Sequence, residues 1–203
     1  MSQRLAQRLD QILPHITTES FLSTQGIGNE IACYIFDYPA QHELQFRAHL
    51  QWMLQRFESH HPTLKVLHLH MLEETLAMLQ KRNLLEKSLE MNRQKGDAAV
   101  VRAIRGPIKS EQLRDFIAQR YDLPQHDLIL LSGVGSVWPV LRAHGLLNSL
   151  HSVIDHTPLV LFYPGNFDGT SLKLFGQIRS DTQGLRTKHY YRAFRLIPEE
   201  TAS

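Results

Sequence analysis

Three short stretches of the chain are apolar at every position, so that neither alternating side of a strand there would face water. They are residues 31–36, 128–131 and 159–163. Uninterrupted apolar runs of this length are typical of strands covered on both faces, as in a parallel sheet. A further strand is predicted over residues 64–71.

Between these strands, apolar residues recur with the three- and four-residue spacing of a helix buried on one side. The predicted helices span residues 2–13, ended by Pro14; residues 42–58; residues 72–92; a segment that Ser110 caps; and residues 139–153, opened by Pro139. Strands that alternate with helices imply crossover connections and a mostly parallel sheet. We therefore predict a three-layer α/β fold with helices on both faces, in a single domain spanning residues 1–203.

The C-terminal part of the chain is predicted to form a β-hairpin. Its arms are residues 172–178 and 190–197, and a polar loop, residues 179–189, joins them. Arg192 and Arg195 interrupt the second arm. An edge strand tolerates such charged residues better than a central strand does.

The composition excludes several classes of protein. Of 203 residues only one is cysteine, Cys33, so an intrachain disulfide cannot form and a reducing compartment is favoured. The N-terminus lacks the apolar core of a signal peptide, and no apolar stretch approaches the ~18 residues that span a bilayer. We expect a cytoplasmic protein without membrane contact.

Positive charge is concentrated in two segments, although the formal net charge is only +2. Residues 81–120 carry ten Lys and Arg against five Asp and Glu, and residues 173–195 carry six against one. One positive face built from both segments would suit a phosphate backbone or an acidic protein. The alternative is an ordinary solvated helix face.

The loop Ser132-Gly133-Val134-Gly135-Ser136 lies between a predicted strand and a predicted helix. Such a loop can direct backbone N–H groups at an anion, so Ser132, Gly133, Gly135 and Ser136 are candidate anion-binding residues. Neither the P-loop lysine nor the third glycine of the dinucleotide motif is present. A plain tight turn is the alternative.

Residues that could support catalysis or metal binding are present, but their spacing does not match that of a catalytic or metal site. His68 and His70 lie on one strand face without a nearby acidic ligand in the strand, so we predict no metal site. Asp37 and Asp168 follow predicted strands, where acid–base residues of α/β proteins lie, but both also suit turns. We predict neither catalytic residues nor a cofactor.

Large aromatic side chains near the predicted strand ends are candidates for contacting a partner, because aromatic residues dominate interface energetics. The candidates are Trp138, Tyr163 and Phe167, together with Arg192 and Arg195 of the hairpin. Packing beneath the loops is the alternative for the aromatic residues.

Several runs resemble the BrxB family of bacteriophage exclusion (BREX) systems over about residues 28–197. They are Ile35-Phe36-Asp37-Tyr38-Pro39, the segment from Ser132 to Pro139, Pro158-Leu159-Val160-Leu161-Phe162-Tyr163-Pro164-Gly165 with Phe167-Asp168-Gly169, and Tyr190-Tyr191-Arg192-Ala193-Phe194-Arg195-Leu196-Ile197. The loop 179–189 is longer and more basic than expected for the family. The resemblance implies a role in antiviral defence beside a methyltransferase, a large ATPase and the phosphatase-like protein PglZ, with PglZ as direct partner.

Three hypotheses follow. The leading one is a non-catalytic subunit that docks other BREX proteins, PglZ above all, and supports self-DNA methylation and phage restriction. The second is a nucleic-acid-binding accessory protein that uses the basic segments 81–120 and 173–195. The third is a small nucleotide-binding or hydrolytic enzyme that uses the loop 133–136 with Asp37 or Asp168.

Overall fold

The computed structural model describes residues 3–23, 33–154, 156–169, 171–176, 178–179 and 193–198. The described helices are α1 Gln3–Asp10, α2 Ile12–Ile16, α3 Glu19–Leu22, α4 Glu43–His60, α5 Met71–Lys81, α6 Leu85–Lys95, α7 Asp97–Ile104, α8 Ser110–Arg120 and α9 Ala143–Ile154. Within these residues, no helix is both long and apolar enough to cross a bilayer.

The described strands form a sheet whose main path is parallel. They are β1 Cys33–Tyr38, β2 Val66–His70, β3 Leu128–Ser132, β4 Leu159–Phe167, β5 Leu172–Leu174, β6 Ile178–Arg179 and β7 Ala193–Arg195. The path runs in the order β2-β3-β4-β1-β7, and each neighbouring pair along it is parallel. The predicted mostly parallel sheet is confirmed.

Helices cover the sheet on both faces, which confirms the predicted three layers. On one face, Phe46, Leu50 and Met53 of α4 join α1 and α2 against strand residues such as Phe36 and Phe162. On the other face, α5, α8 and α9 pack against the alternate strand positions, which include Ile35, Leu131 and Leu161. Successive residues of a strand point to opposite faces, so the uninterrupted apolar runs supply both cores.

Two of the predicted helices are divided in the structure, and a further helix was not predicted. The N-terminal helix breaks at Gln11, and Pro14 does not end it but lies in the first turn of α2, where its missing N–H is tolerated. The long helix over 72–92 is two helices, α5 and α6, separated at Asn83, whose φ of 56° no helix interior accepts. The helix α7 was not predicted.

The segment after β3 also differs from prediction. A short 3-10 helix, Val134–Val137, follows β3, and α9 begins only at Ala143, so Pro139 does not open it. The strand β4 does not stop before Pro164 but continues to Phe167.

The two predicted arms of the C-terminal hairpin do not pair with each other where they are described. β5 pairs antiparallel with the end of β4 and with β6, whereas β7 pairs parallel with β1. β7 is the edge strand at that side of the main path, as predicted for Arg195. Arg192 and residues 180–189 of the predicted loop lie outside the described residues.

Candidate functional site at the carboxyl edge of the sheet

The winding of the sheet reverses between β1 and β4. The chain leaves β1 through α4 on one face and reaches β4 from α9 on the other, yet β1 and β4 are hydrogen-bonded neighbours. In open α/β sheets, ligands bind outside the carboxyl ends of the strands at this reversal. The residues at this edge are therefore the first place to look for function.

Asp37 occupies the reversal point and is 1% exposed. Its Oδ1 accepts hydrogen bonds from Arg8 at 2.9 Å and from Arg195 at 2.8 Å. Its Oδ2 accepts one from the Phe167 N–H at 2.9 Å and one from Arg195 at 3.0 Å. A carboxylate has about four acceptor positions, and four donor contacts fill them here.

The contacts of Asp37 join three distant parts of the chain. Arg8 comes from α1 and stacks over the Phe36 ring, with 4.7 Å between its Cζ and the ring centroid. Arg195 comes from β7 and also donates to the Phe167 carbonyl. Asp37 is thus neither a turn residue nor an available base: it holds α1, the end of β4 and β7 together.

Asp168 behaves as the turn alternative predicts. Its Oδ1 accepts a hydrogen bond from the Ser171 N–H at 2.7 Å, and its Oδ2 accepts one from the Ser171 hydroxyl at 2.6 Å. Gly169, with φ of 91°, makes the bend between them. The side chain of Asp168 closes the turn that leads from β4 into β5.

The candidate anion loop does not have the geometry on which that hypothesis depends. Most of the loop is itself part of the 3-10 helix Val134–Val137, and α9 begins only at Ala143, so the positive end of an α-helix does not lie behind the glycines. Both glycines are explained by close packing. A Cβ on Gly133 would lie 2.6 Å from Nε2 of His70, and one on Gly135 would lie 2.9 Å from Cγ of Pro164.

Ser132 and His68 form a contact that sequence reasoning missed. Nε2 of His68 lies 2.8 Å from the Ser132 hydroxyl oxygen, because the parallel register brings the ends of β2 and β3 side by side. Burial, with a smaller effect from His70, lowers the pKa of His68 to about 4. Ser132 is 2% exposed, so a substrate cannot reach its hydroxyl in this conformation.

Metal-binding residues do not converge at this edge. Among the described residues, no group of three or more His, Cys, Asp or Glu side chains is placed to hold a metal ion. His70 instead lies with its Nδ1 3.9 Å from Glu73. Cys33, at the start of β1, is buried, and burial raises the pKa of its thiol to about 12, as expected for an inert core thiol.

The predicted aromatic anchors separate into two groups. Tyr163 and Phe167 are 0% and 3% exposed and belong to the core, as the packing alternative states. Trp138 is 40% exposed and forms an edge-to-face pair with Phe175, which is 42% exposed, at 6.4 Å between ring centroids. Phe175 was not predicted; its backbone φ of 54° is unusual for a bulky residue.

The beginning of α4 extends this aromatic surface. A guanidinium nitrogen of Arg47 lies 3.5 Å from the Ser136 hydroxyl, and its Nε donates to Glu43 at 2.8 Å. Leu44, three residues before Arg47 and so on the same side of the helix, is 77% exposed. We call Leu44, Arg47, Ser136, Trp138 and Phe175 the aromatic patch.

The fold and the site define a Rossmann-like three-layer α/β protein. At the carboxyl edge of its sheet, the polar side chains are engaged in structural contacts, and the aromatic patch is exposed beside them. The family model described as BREX protein BrxB matches residues 67–196. A BREX protein BrxB of Bacillus cereus (strain H3081.97) is 38% identical over 197 residues, which cover 96% of this chain and 98% of that protein.

A second relative supports the same assignment. A BREX protein BrxB of Escherichia coli O9:H4 (strain HS) is 38% identical over 195 residues, which cover 96% of this chain and 92% of that protein. No solved structure matches the chain significantly. The chain belongs to the BrxB family and is a component of a bacterial BREX defence system, which confirms the resemblance found in its sequence.

Proposed function

We propose that this protein is a non-catalytic subunit that docks other BREX proteins through the aromatic patch, with PglZ as its direct partner. In this role it supports self-DNA methylation and phage restriction from the cytoplasm. The observation that carries the proposal is the exposed pair of Trp138 and Phe175 at the edge of the sheet where α/β proteins present their sites.

The composition of the patch suits a protein partner. Tryptophan and arginine are the residues most enriched among those that dominate binding energy, and both occur here beside an exposed leucine. Phe175 adds a second argument. It lies in the tight turn between β5 and β6, where it and the following Gly176 both have positive φ. This turn places its ring, which is 42% exposed, beside Trp138 at the surface and not in the core.

The polar groups at the same edge support a role without chemistry. The four acceptor positions of Asp37 are filled, Asp168 is bound into a turn, and the Ser132 hydroxyl is buried. A competing nucleotide-binding or hydrolytic function predicts that nucleotides with divalent metals raise the melting temperature. We expect no such shift.

Co-purification of the tagged protein with PglZ and the other BREX proteins tests the proposal. Trp138→Ala together with Phe175→Gly should weaken capture of PglZ at least about 30-fold, since an interface hot spot contributes about 2 kcal/mol or more. Trp52→Ala is the matched control, because Trp52 is 42% exposed on α4 and lies outside the patch. Capture that the double substitution leaves unchanged would refute the assignment of the patch.

Contact with DNA is a second proposed function. The described segment 81–120 contributes α6 and α7, helices that the structure describes in full and in which no residue is buried. The second basic segment, 173–195, lies largely outside the described residues, and its Arg195 is engaged with Asp37. The support that the described residues give for DNA contact therefore comes from the first segment.

A further inference from the structure

The helices α6 and α7 form a hairpin on the surface of the protein. They pack against each other, and Leu85 and Ile104 attach the base of the hairpin to the edge of the core. Gly96, with φ of 74°, forms its tip. The hairpin therefore presents most of its surface to solvent.

Charge is distributed unequally along the hairpin and the turn that follows it. On α6, the cations Lys87, Arg93 and Lys95 alternate with Glu86 and Glu90, and Arg93 pairs with Glu90 at 3.3 Å. Because positive and negative charges alternate along α6, this helix produces only a weak net electrostatic field. It has the character of an ordinary solvated helix face.

At the end of α7 and in the turn after it, the cations are not interrupted by anions, although Asp97 at the start of α7 and Glu111 in the first turn of α8 flank this stretch. Residues 98–110 contain Arg102, Arg105 and Lys109 and no acidic residue, and all three cations are exposed. Arg82, which is also exposed, donates to the Pro107 carbonyl at 2.6 Å and so lies beside the same turn. We call Arg82, Arg102, Arg105 and Lys109 the basic face.

The residues around the basic face favour nucleic acid over a protein partner. Between the cations, the exposed positions are small: Ala103 and Gly106. Within residues 97–109, all of which the structure describes, none of the exposed side chains is a large hydrophobic one. A protein interface needs a large apolar or aromatic anchor, whereas a phosphate backbone needs only accessible cations, arginine above all.

We propose that the basic face binds the phosphate backbone of duplex DNA without reading its sequence, an inference that rests on the second proposed function. Duplex DNA carries one negative charge per about 1.7 Å of axis, so cations close together on one surface can each meet a phosphate. Base-specific contact would require side chains that enter a groove. Small side chains between the cations instead allow the end of α7 and the turn after it to lie flat against the DNA backbone.

The test compares two triple substitutions that remove equal charge, one from α7 and the turn after it and the other from α6. Arg102→Gln, Arg105→Gln and Lys109→Gln neutralise the basic face but keep Arg82, because Arg82 holds the turn. Lys87→Gln, Arg93→Gln and Lys95→Gln are the matched control on α6. Circular dichroism and thermal melting verify that both variants fold as the parent does.

Binding of a short labelled duplex is measured by fluorescence anisotropy from about 50 to about 200 mM salt. Three phosphate contacts account for a slope of about 3 in the plot of log affinity against log salt, or about a 40-fold loss over this range. We expect the basic-face variant to lose that part of the slope, and the control to change it by less than about 1.

Each of the other possible results would contradict a different part of the proposal. If both triple substitutions weaken DNA binding equally, the protein contacts DNA but not through the basic face. If the unmodified protein does not bind DNA at about 50 mM salt, the second proposed function fails together with this inference. If the basic-face variant keeps its DNA affinity but no longer captures PglZ, the surface is a protein interface and the inference is wrong.

Discussion

Replacing Asp37 with alanine should destabilise the protein more than replacing any of its exposed carboxylates. The substitution leaves Arg8, which is 8% exposed, and Arg195 without their shared carboxylate, and it removes the acceptor of the Phe167 N–H. Removing one partner of a buried ion pair typically costs about 3–5 kcal/mol, because a charge remains buried without compensation.

That magnitude is large for a protein of this size. Domains unfold with about 5–15 kcal/mol, so the substitution removes a substantial fraction of the total. In a chain of roughly 200 residues, each kcal/mol lowers the melting temperature by about 2–4 °C, which gives a decrease of roughly 6–20 °C. Urea unfolding followed by circular dichroism measures the free energy directly.

Asp115→Ala is the matched control. Asp115 pairs with Arg114 at 2.6 Å, but its side chain is 57% exposed. Exposed ion pairs contribute only about 0–1 kcal/mol. If Asp37→Ala lowers the free energy of unfolding no more than Asp115→Ala does, then Asp37 does not join α1, β4 and β7, and our interpretation of the reversal point is refuted.

Two further predictions concern the carboxyl ends of β2 and β3. The pKa of His68 is lowered to about 4 in the folded protein, from an ordinary value near 6.5, so the unfolded chain binds more protons between these values and stability falls as pH falls through that window. His68→Gln should flatten this dependence in urea titrations at several pH values, whereas the exposed His151→Gln should leave it unchanged. Gly133→Ala should destabilise the fold more than Gly96→Ala in the same assay. Both glycines have φ near 74°, but only at Gly133 would the new Cβ meet the His70 ring, at 2.6 Å. If both substitutions lowered the free energy of unfolding equally, the His70 side chain would be able to move aside without a free-energy cost.

The sequence alone was sufficient to predict the features that depend on the local spacing of apolar residues. The buried face of α4 follows from apolar residues one helical turn apart, and the same holds for Leu113, Phe116 and Ile117 of α8. The uninterrupted apolar runs predicted buried parallel strands because a strand covered on both sides has no polar face to show. The family was likewise recognisable from the residues.

The ends of elements were less predictable, because they depend on single backbone angles and on what packs nearby. Nothing in the apolar spacing of residues 72–92 marks Asn83 as a break, although asparagine accepts a positive φ more readily than most residues. The helix α7 spans only eight residues, none of them buried, so its apolar residues do not extend over enough turns to predict a helix from their spacing.

Sequence by itself determined the class of fold, the two apolar cores and the concentration of positive charge in residues 81–120. Only the tertiary structure decided what the polar residues do. Asp37 resembled a catalytic or turn residue until Arg8 and Arg195, far away in the chain, were found on its two oxygens. Trp138 and Tyr163 were equivalent candidates until burial separated them. The spacing of apolar residues along the sequence indicates which side of a helix or strand is apolar. Ion pairing and exposure, in contrast, depend on contacts between residues that only the folded chain brings together.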